Sequence, residues 1–392
     1  MDSFKIPANI NKILFAFIGI GAISGALGFL VDPQKAWPGF LSFGFFLLIL
    51  SLSGTFFAAL QMISGAKWSV VIRRVAESTV AALPVTAVFI ILLFFGIHSL
   101  YEWSHADVVA NDHILHQKEG YLNTPFFIAR VSGYLVLWLI MGYLLRKVSI
   151  SQDTTKNPET RTKLVKISAA YILLFAYTFT FASIDLLMSL QPHWYTTMFP
   201  VYTFAGLGLS GIATLIILVV TIQNYGGLKE VTAEHMHDLG KFLFMFTVFW
   251  AYIAFSQHML TWYANLPEET YFIETRISSG FWKYFTIVLW IFHFLIPFIL
   301  LLSRDVKRDG KRLIKIAWFI LFMCFVDVVW LVFGGLEHDG HVLIPLMWME
   351  AGLFLGAIGI FGYTVLQAYS KAAQIPVGDQ NLKASMNFHQ TH

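Results

Sequence analysis

Ten apolar runs, each long enough to cross a lipid bilayer, leave this chain little freedom in how it can fold. They fall at about residues 10–31, 37–64, 70–98, 125–146, 164–188, 198–223, 238–264, 281–302, 311–334 and 343–371. A hydrocarbon core about 30 Å thick needs roughly 20 helical residues, and segments crossing it must satisfy their own backbone polar groups. The runs therefore predict an all-α integral membrane protein with ten transmembrane helices. Composition agrees: 57% of the 392 residues are hydrophobic and 12% charged, and the mean hydropathy is +0.68, far from a soluble domain. Trp and Tyr gather near the ends of the runs, where interfacial belts are expected. The opening MDSFKIPANINK has no clear small-residue cleavage site and precedes an apolar run longer than a signal-peptide core, so the first helix is read as retained.

A formal net charge of +3 is too small to argue for a nucleic-acid partner. The single cysteine, Cys324, excludes an internal disulfide, a cysteine-ligated iron–sulfur cluster and a CxxCH haem attachment within the chain. An electron-carrying metal would belong to a partner or be a haem held by histidines alone. His258 and His293 are the only pair to consider, and their depths differ by more than a helical turn.

Basic residues set an orientation. With the N-terminus inside, 21 of the 26 Lys and Arg residues fall on inner segments, and only Lys35, Lys118, Arg130, Arg276 and Lys283 lie outside. The inner set includes Lys156 and the clusters around Arg146 and Arg308. That asymmetry predicts cytoplasmic termini. The outer connections at 99–124, with His105, His113 and His116, and at 265–280, which is acidic and aromatic, read as docking surfaces. The tail after Ala372 is polar and reads as disordered.

Seven polar residues sit where water is scarce. Asp185 and His258 each lie about twenty residues into outward-running helices; Arg130 and Glu350 are a turn or two below the outer surface. Asp327 and His293 are nearer mid-membrane, and Glu77 is towards the inner side. A carboxylate in a span costs roughly 2.5–3.5 kcal/mol on insertion scales, so something must offset or use it. Each residue also has a structural reading. Arg130 can extend to the headgroups, Glu350 is near enough to the surface to stay hydrated, and Glu77 is one turn from Arg73 and can pair with it. A lone His258 or His293 on an apolar helix is most often a hydrogen-bonded interior residue. Asp185 and Asp327 reach neither surface easily. Titratable groups at graded depths can pass protons through water, and the same residue types can hold the hydroxyls of a quinol. A proton-coupled secondary transporter would use them too, at helices broken near mid-membrane; the breakers here are Pro84, far in sequence from the acids, and Pro297, one turn beyond His293.

The inner starts of the fifth and ninth runs, KISAAYILLF from Lys166 and KIAWFILFMC from Lys315, are alike, which fits two related four-helix bundles. More specific are FASIDLLMSLQPHWYTTMFPVYTFAG and FWAYIAFSQHMLTWYANLPEET. In a ten-helix chain of this length they resemble the NrfD or polysulfide-reductase family of membrane subunits, and within it the ActF-type subunits of alternative complex III, a bacterial quinol:cytochrome c oxidoreductase. The resemblance runs over nearly the whole chain. It implies two four-helix bundles, at 37–190 and 191–335, and a flanking helix pair from 1–36 and 336–371, with 372–392 as a cytoplasmic tail. It further implies a bacterial inner-membrane location, no redox cofactor in this chain, and partners that carry haem c and iron–sulfur clusters. Those partners are a multihaem cytochrome c subunit, an iron–sulfur subunit on the outer side and a paralogous ActC-like subunit, with a terminal oxidase a further candidate. Asp185 and His258 fall within the two motifs, and the resemblance gives them a proton-handling role. In such complexes the quinol-oxidising site is placed in the paralogue, so a quinone bound to this chain remains an alternative. The function expected is a scaffold with a proton path through buried Asp and His residues, electron transfer occurring in the partners.

Overall fold

The structure is a computed structural model that describes residues 4–155, 158–277, 280–338 and 341–389. Lys156, counted above among the inner basic residues, and Ser278 and Ser279 of the 265–280 connection lie outside the described residues. Ten helices are long and apolar enough to cross a membrane: Ala8–Val31, Pro33–Ile63, Val70–Leu100, Thr124–Thr155, Glu159–Leu190, Phe199–Asn224, Ala233–Ala264, Gly280–Leu302, Gly310–Phe333 and Trp348–Ser370. They are called spans one to ten below. Every expected span is present, and the protein is an all-α, multi-pass membrane protein. Among the described residues the only strand pairing is a two-residue antiparallel one, Glu337–His338 with His341–Val342.

The fourth, fifth and seventh spans reach 32 residues, or about 48 Å at 1.5 Å per residue. They outrun the hydrocarbon because their polar ends continue as helix into water.

Spans two and six form the centre. In each, 89% of the apolar stretch is buried, against 22% in span one; a helix enclosed on all sides has no polar face to present. Spans two to five pack on one another, as do spans six to nine. The two groups meet where span two touches spans six and nine and span five touches span six. Spans one and ten pair with each other and lean on spans two and three. Their seam is built on small residues, as in membrane helix pairs without a hydrophobic drive to associate. A Cβ added to Gly356 would lie 2.9 Å from the Cα of Gly21, so the backbones touch.

Two spans are irregular for local reasons. In span three the helix tightens to 3₁₀ geometry over Thr79–Ala82 and again over Leu93–Gly96. The Thr79 hydroxyl donates to the Ala76 carbonyl at 2.9 Å, and Pro84 next in line has no N–H for the carbonyl four residues back. In span eight Pro297 likewise cannot bond His293, and the helix widens into a π turn over Trp290–Leu295. Neither proline breaks its span.

With ten spans, both termini lie on one face, where the Phe4 and Tyr369 rings meet at 6.0 Å. Here the expectation of a disordered tail fails. Residues 372–389 pack against the bundle because Asp379 bridges arginines of spans three and five. It accepts from Arg73 Nη1 at 2.5 Å and Arg161 Nη1 at 3.2 Å. Further along, Ser385 donates to the Trp68 carbonyl at 2.6 Å and His235 Nε2 lies 3.1 Å from the Ser385 carbonyl. Burial alone would raise the Asp379 carboxyl. The charge and hydrogen bonds of Arg73, the Asn381 N–H and the charge of Arg161 outweigh it and hold the group below its ordinary 3.8.

Two outcomes are expected. Gly356→Leu forces side-chain atoms between touching backbones and should cost about 1–3 kcal/mol, read as a lower melting temperature in detergent; an unchanged value would mean that span one is not held by this seam. Because the folded Asp379 is the stronger acid, its contribution is present above the usual carboxylate range and is lost as pH falls through it. Protease cleavage of the tail should therefore be flat from pH 5 to 8 and rise below about pH 4, while Asp379→Asn should expose the tail at every pH.

Candidate functional site

On the face opposite the termini, the connections between spans are folded onto one another. Trp103 donates to the Ser189 carbonyl at 3.1 Å, and Lys118 to the Pro192 carbonyl at 2.5 Å, which fixes residues 99–124 to the turn between spans five and six. Trp194 of that turn stacks on Phe272 at 4.0 Å between ring centroids. Phe272 belongs to the helix Pro267–Ile277, which joins spans seven and eight. This platform positions two polar clusters beneath it.

The first surrounds Asp185, which is fully buried. Its own sequence neighbourhood offers no basic residue, but Arg130 enters from span four and meets it side-on. Nε lies 3.1 Å from Oδ2 and Nη2 2.9 Å from Oδ1, the two-pronged geometry that makes arginine pairs strong. The Tyr134 hydroxyl donates to the same carboxylate at 3.1 Å, and the guanidinium lies between the Tyr121 and Phe126 rings at 3.8 and 4.2 Å. Arg130 thus turns inward, its side chain 9% exposed, instead of extending to the headgroups.

The second cluster surrounds Asp327. Its Oδ1 accepts from the Tyr202 hydroxyl at 2.5 Å and its Oδ2 from the Trp250 indole at 3.1 Å. Among the described residues no cation forms an ion pair with it. Tyr202 and Trp250 form the back wall of a cavity of about 470 Å³, whose lining also includes His258, Phe272, Arg276 and Trp290. His258 lines the open side. His293 lies behind Trp250, ring centroids 4.2 Å apart; among the described residues its nitrogens make no well-formed hydrogen bond, and the Met323 backbone is close to them. The π turn sets that ring against the tryptophan.

Arg276, an outer basic residue in the sequence, is buried in the cavity wall. It donates to the Leu331 carbonyl at 3.0 Å, to the Phe272 carbonyl at 2.7 Å and to Gln191 at 3.2 Å. It thereby caps the free carbonyl end of span nine, where positive charge is favourable. Its guanidinium lies 3.6 Å over the Phe272 ring. Burial pushes it down to about 9, so it stays charged at neutral pH. No carboxylate pairs with it among the described residues.

The remaining candidates sit apart. Glu77 forms an ion pair with Arg73 at 3.1 Å and accepts from Arg74 at 2.9 Å on the terminal face, the structural reading offered for it. Glu350 is buried in the first turn of span ten, with no side-chain donor to either oxygen among the described residues; it faces the backbone of its own turn and the Cα of Gly39. Met347, just before it, has φ +59° and ψ −55°, and the Trp348 N–H bonds the Leu346 carbonyl at 2.7 Å. That is a tight, strained γ-turn. The structure thus puts His258 in the cavity lining with Asp327 and His293 behind its Tyr202 and Trp250 wall, ties Arg130 to Asp185, and leaves Glu77 and Glu350 elsewhere.

Chemically, the cavity offers flat aromatic walls for an apolar ring and polar atoms at its edges. Asp327 can take a proton through the Tyr202 hydroxyl without losing an ion pair, which Asp185 cannot do. Among the described residues no three His, Cys, Asp or Glu side chains converge as a metal-ligand set.

These features define a class: a polytopic helical membrane protein with buried ionisable clusters and an aromatic cavity near one face. The chain matches no known family model and no curated protein.

Breaking the first cluster has a definite expected cost. Arg130→Gln leaves a buried carboxylate uncompensated and should lower stability by about 3–5 kcal/mol, measured as a fall in melting temperature. Combining it with Asp185→Asn should restore most of the loss. If the double variant is as unstable as the single, the pair is not what holds spans four and five together.

Proposed function

We propose that this chain is an integral subunit of a respiratory quinol:cytochrome c oxidoreductase, an ActF-like member of the NrfD-type family, in a bacterial inner membrane with both termini cytoplasmic. Its part is to hold the membrane arm together and to carry protons, while haem c and iron–sulfur centres in partner subunits carry electrons. One observation carries the reading: Asp327, a carboxylate with no cation among the described residues, is hydrogen-bonded at 2.5 Å to Tyr202, which lies in the wall of a cavity near the face opposite the termini. A tyrosine hydroxyl both donates and accepts, so it can pass a proton between the carboxylate and water or ligand in the cavity. His258 stands at the cavity's open side. The interlocked outer connections offer a rigid platform on which an iron–sulfur or cytochrome subunit would dock, and a paralogous ActC-like subunit and a terminal oxidase would lie alongside in the membrane.

Compared with the expected path, Asp327 takes the place of Asp185. A carboxylate already held by a two-pronged arginine would have to break that pair to take up a proton, and its role is to fix spans four and five.

A second reading is favoured by the cavity itself. Trp250, Trp290 and Phe272 form walls suited to a flat ring, and Arg276 and His258 supply polar contacts at its rim, so a quinone head would fit. Electron transfer from it would require a partner's redox centre close by.

Co-purification from native membranes tests the class: a red, haem-containing assembly supports it, and a colourless single chain overturns it in favour of a transporter. Within the assembly, Asp327→Asn keeps size and much of the hydrogen bonding. It should leave the complex intact but reduce quinol turnover, or protons released per electron, at least about tenfold, a change of about 1.4 kcal/mol in barrier. Unaltered values for both would remove Asp327 from the proton path.

A further inference from the structure

The 3₁₀ segment of span three does more than bend the helix. It sets Val80 into the space left by Gly142 of span four, where an added Cβ would lie 2.3 Å from Val80 Cγ2. Beside this contact Ala81 and Pro84 are too short to fill the gap between the two spans. A lipid-facing groove of about 410 Å³ results, lined by Val80, Ala81, Pro84, Leu139, Ile140 and Tyr143, and ended by Arg146.

Arg146 is half-buried and lies at the end of the apolar stretch nearest the termini. Its Nη2 donates to the Ala368 carbonyl of span ten at 2.6 Å, and its Nε is buried without a partner. It forms no ion pair among the described residues; the nearby Glu77 is occupied by Arg73, Arg74 and Ser149. One residue on, the Lys147 ammonium lies 5.7 Å from the centre of the Tyr143 ring, and that ring stands exposed at the groove's edge. Two cations and a phenol therefore meet where headgroups begin, above a slot that is otherwise apolar.

We propose that this groove binds one anionic phospholipid, with an acyl chain along Ala81, Pro84 and Ile140 and the phosphate at Arg146 and Lys147. Length and direction agree: the groove residues run from Arg146 towards mid-membrane, as a chain descends from its headgroup. Charge selects the lipid class. A guanidinium and an ammonium favour a phosphodiester with net negative charge, whereas a choline headgroup would set a third cation beside them. The occupant extends the Val80–Gly142 contact between spans three and four on its lipid-facing side and reaches span ten through Arg146.

The test is lipid exchange on the full chain, followed by native mass spectrometry with phosphatidylglycerol and phosphatidylcholine as probes. One phosphatidylglycerol should be retained per chain, at least tenfold more tightly than phosphatidylcholine. Arg146→Gln combined with Lys147→Gln should abolish the preference. Since Arg146 also holds span ten, Ile140→Trp, at an exposed position, tests the groove without touching that bond, and should displace the lipid while leaving the melting temperature unchanged. A photo-crosslinker on Ile140→Cys should label phospholipid in native membranes; Cys324 is buried and does not compete. Equal affinity for the two lipids, a preference that survives the double substitution, or an Ile140→Cys adduct to another polypeptide would each overturn the proposal.

Discussion

A charge inside a bilayer has no water to fall back on, so each buried guanidinium and carboxylate must find its partner within the protein. That constraint sorts the acids of this chain. Asp185, Glu77 and Asp379 are each met by arginine; the Glu77 pairs lie within one helix, whereas those of Asp185 and Asp379 join span four to span five and the tail to spans three and five. Among the described residues Asp327 and Glu350 pair with no cation; Asp327 is held by two neutral donors and Glu350 faces the backbone of its own turn. The first group welds the bundle. Only the second can take up a proton without breaking an ion pair.

The spans and their number were legible because length and apolarity are properties of each segment alone. So was the π turn's neighbourhood, through Pro297. What could not be read was anything that depends on two segments meeting. Arg130 lies 55 residues from Asp185, and its inward turn depends on span four lying beside span five. The tail shows the same failure from the other side. Its composition is polar, which in isolation argues against order, but Asp379 completes an arginine cluster and so orders the chain around it.

The site was half legible. His258, Asp327 and His293 were chosen for depth; His258 lines the cavity, and the other two lie behind its Tyr202 and Trp250 wall. The groups that make them a site were in plain view within quoted motifs, Tyr202 in FPVYTFAG and Trp250 in FWAYIAF, but neither carries a charge and neither stands out on an aromatic-rich helix. Arg276 was counted as a surface cation because its segment is short and polar. The free carbonyls ending span nine draw it inward, and only the fold brings that helix end within reach.

The two halves of the bundle finish differently at the same face, and this difference accounts for the cavity. Spans four and five close on each other through Arg130, Asp185 and Tyr134, with Trp138 donating to Thr178 one layer below at 2.8 Å; aromatic and charged side chains fill the space. In the other half the arginine that might have sealed Asp327 caps span nine instead, and its planar head lies along the wall rather than across the opening. The carboxylate is left to a phenol and an indole, both too rigid to swing into the void. An aromatic chamber beside an unpaired acid therefore follows from where one guanidinium is anchored, and the anchor is a helix end that would otherwise leave carbonyls unsatisfied in the membrane.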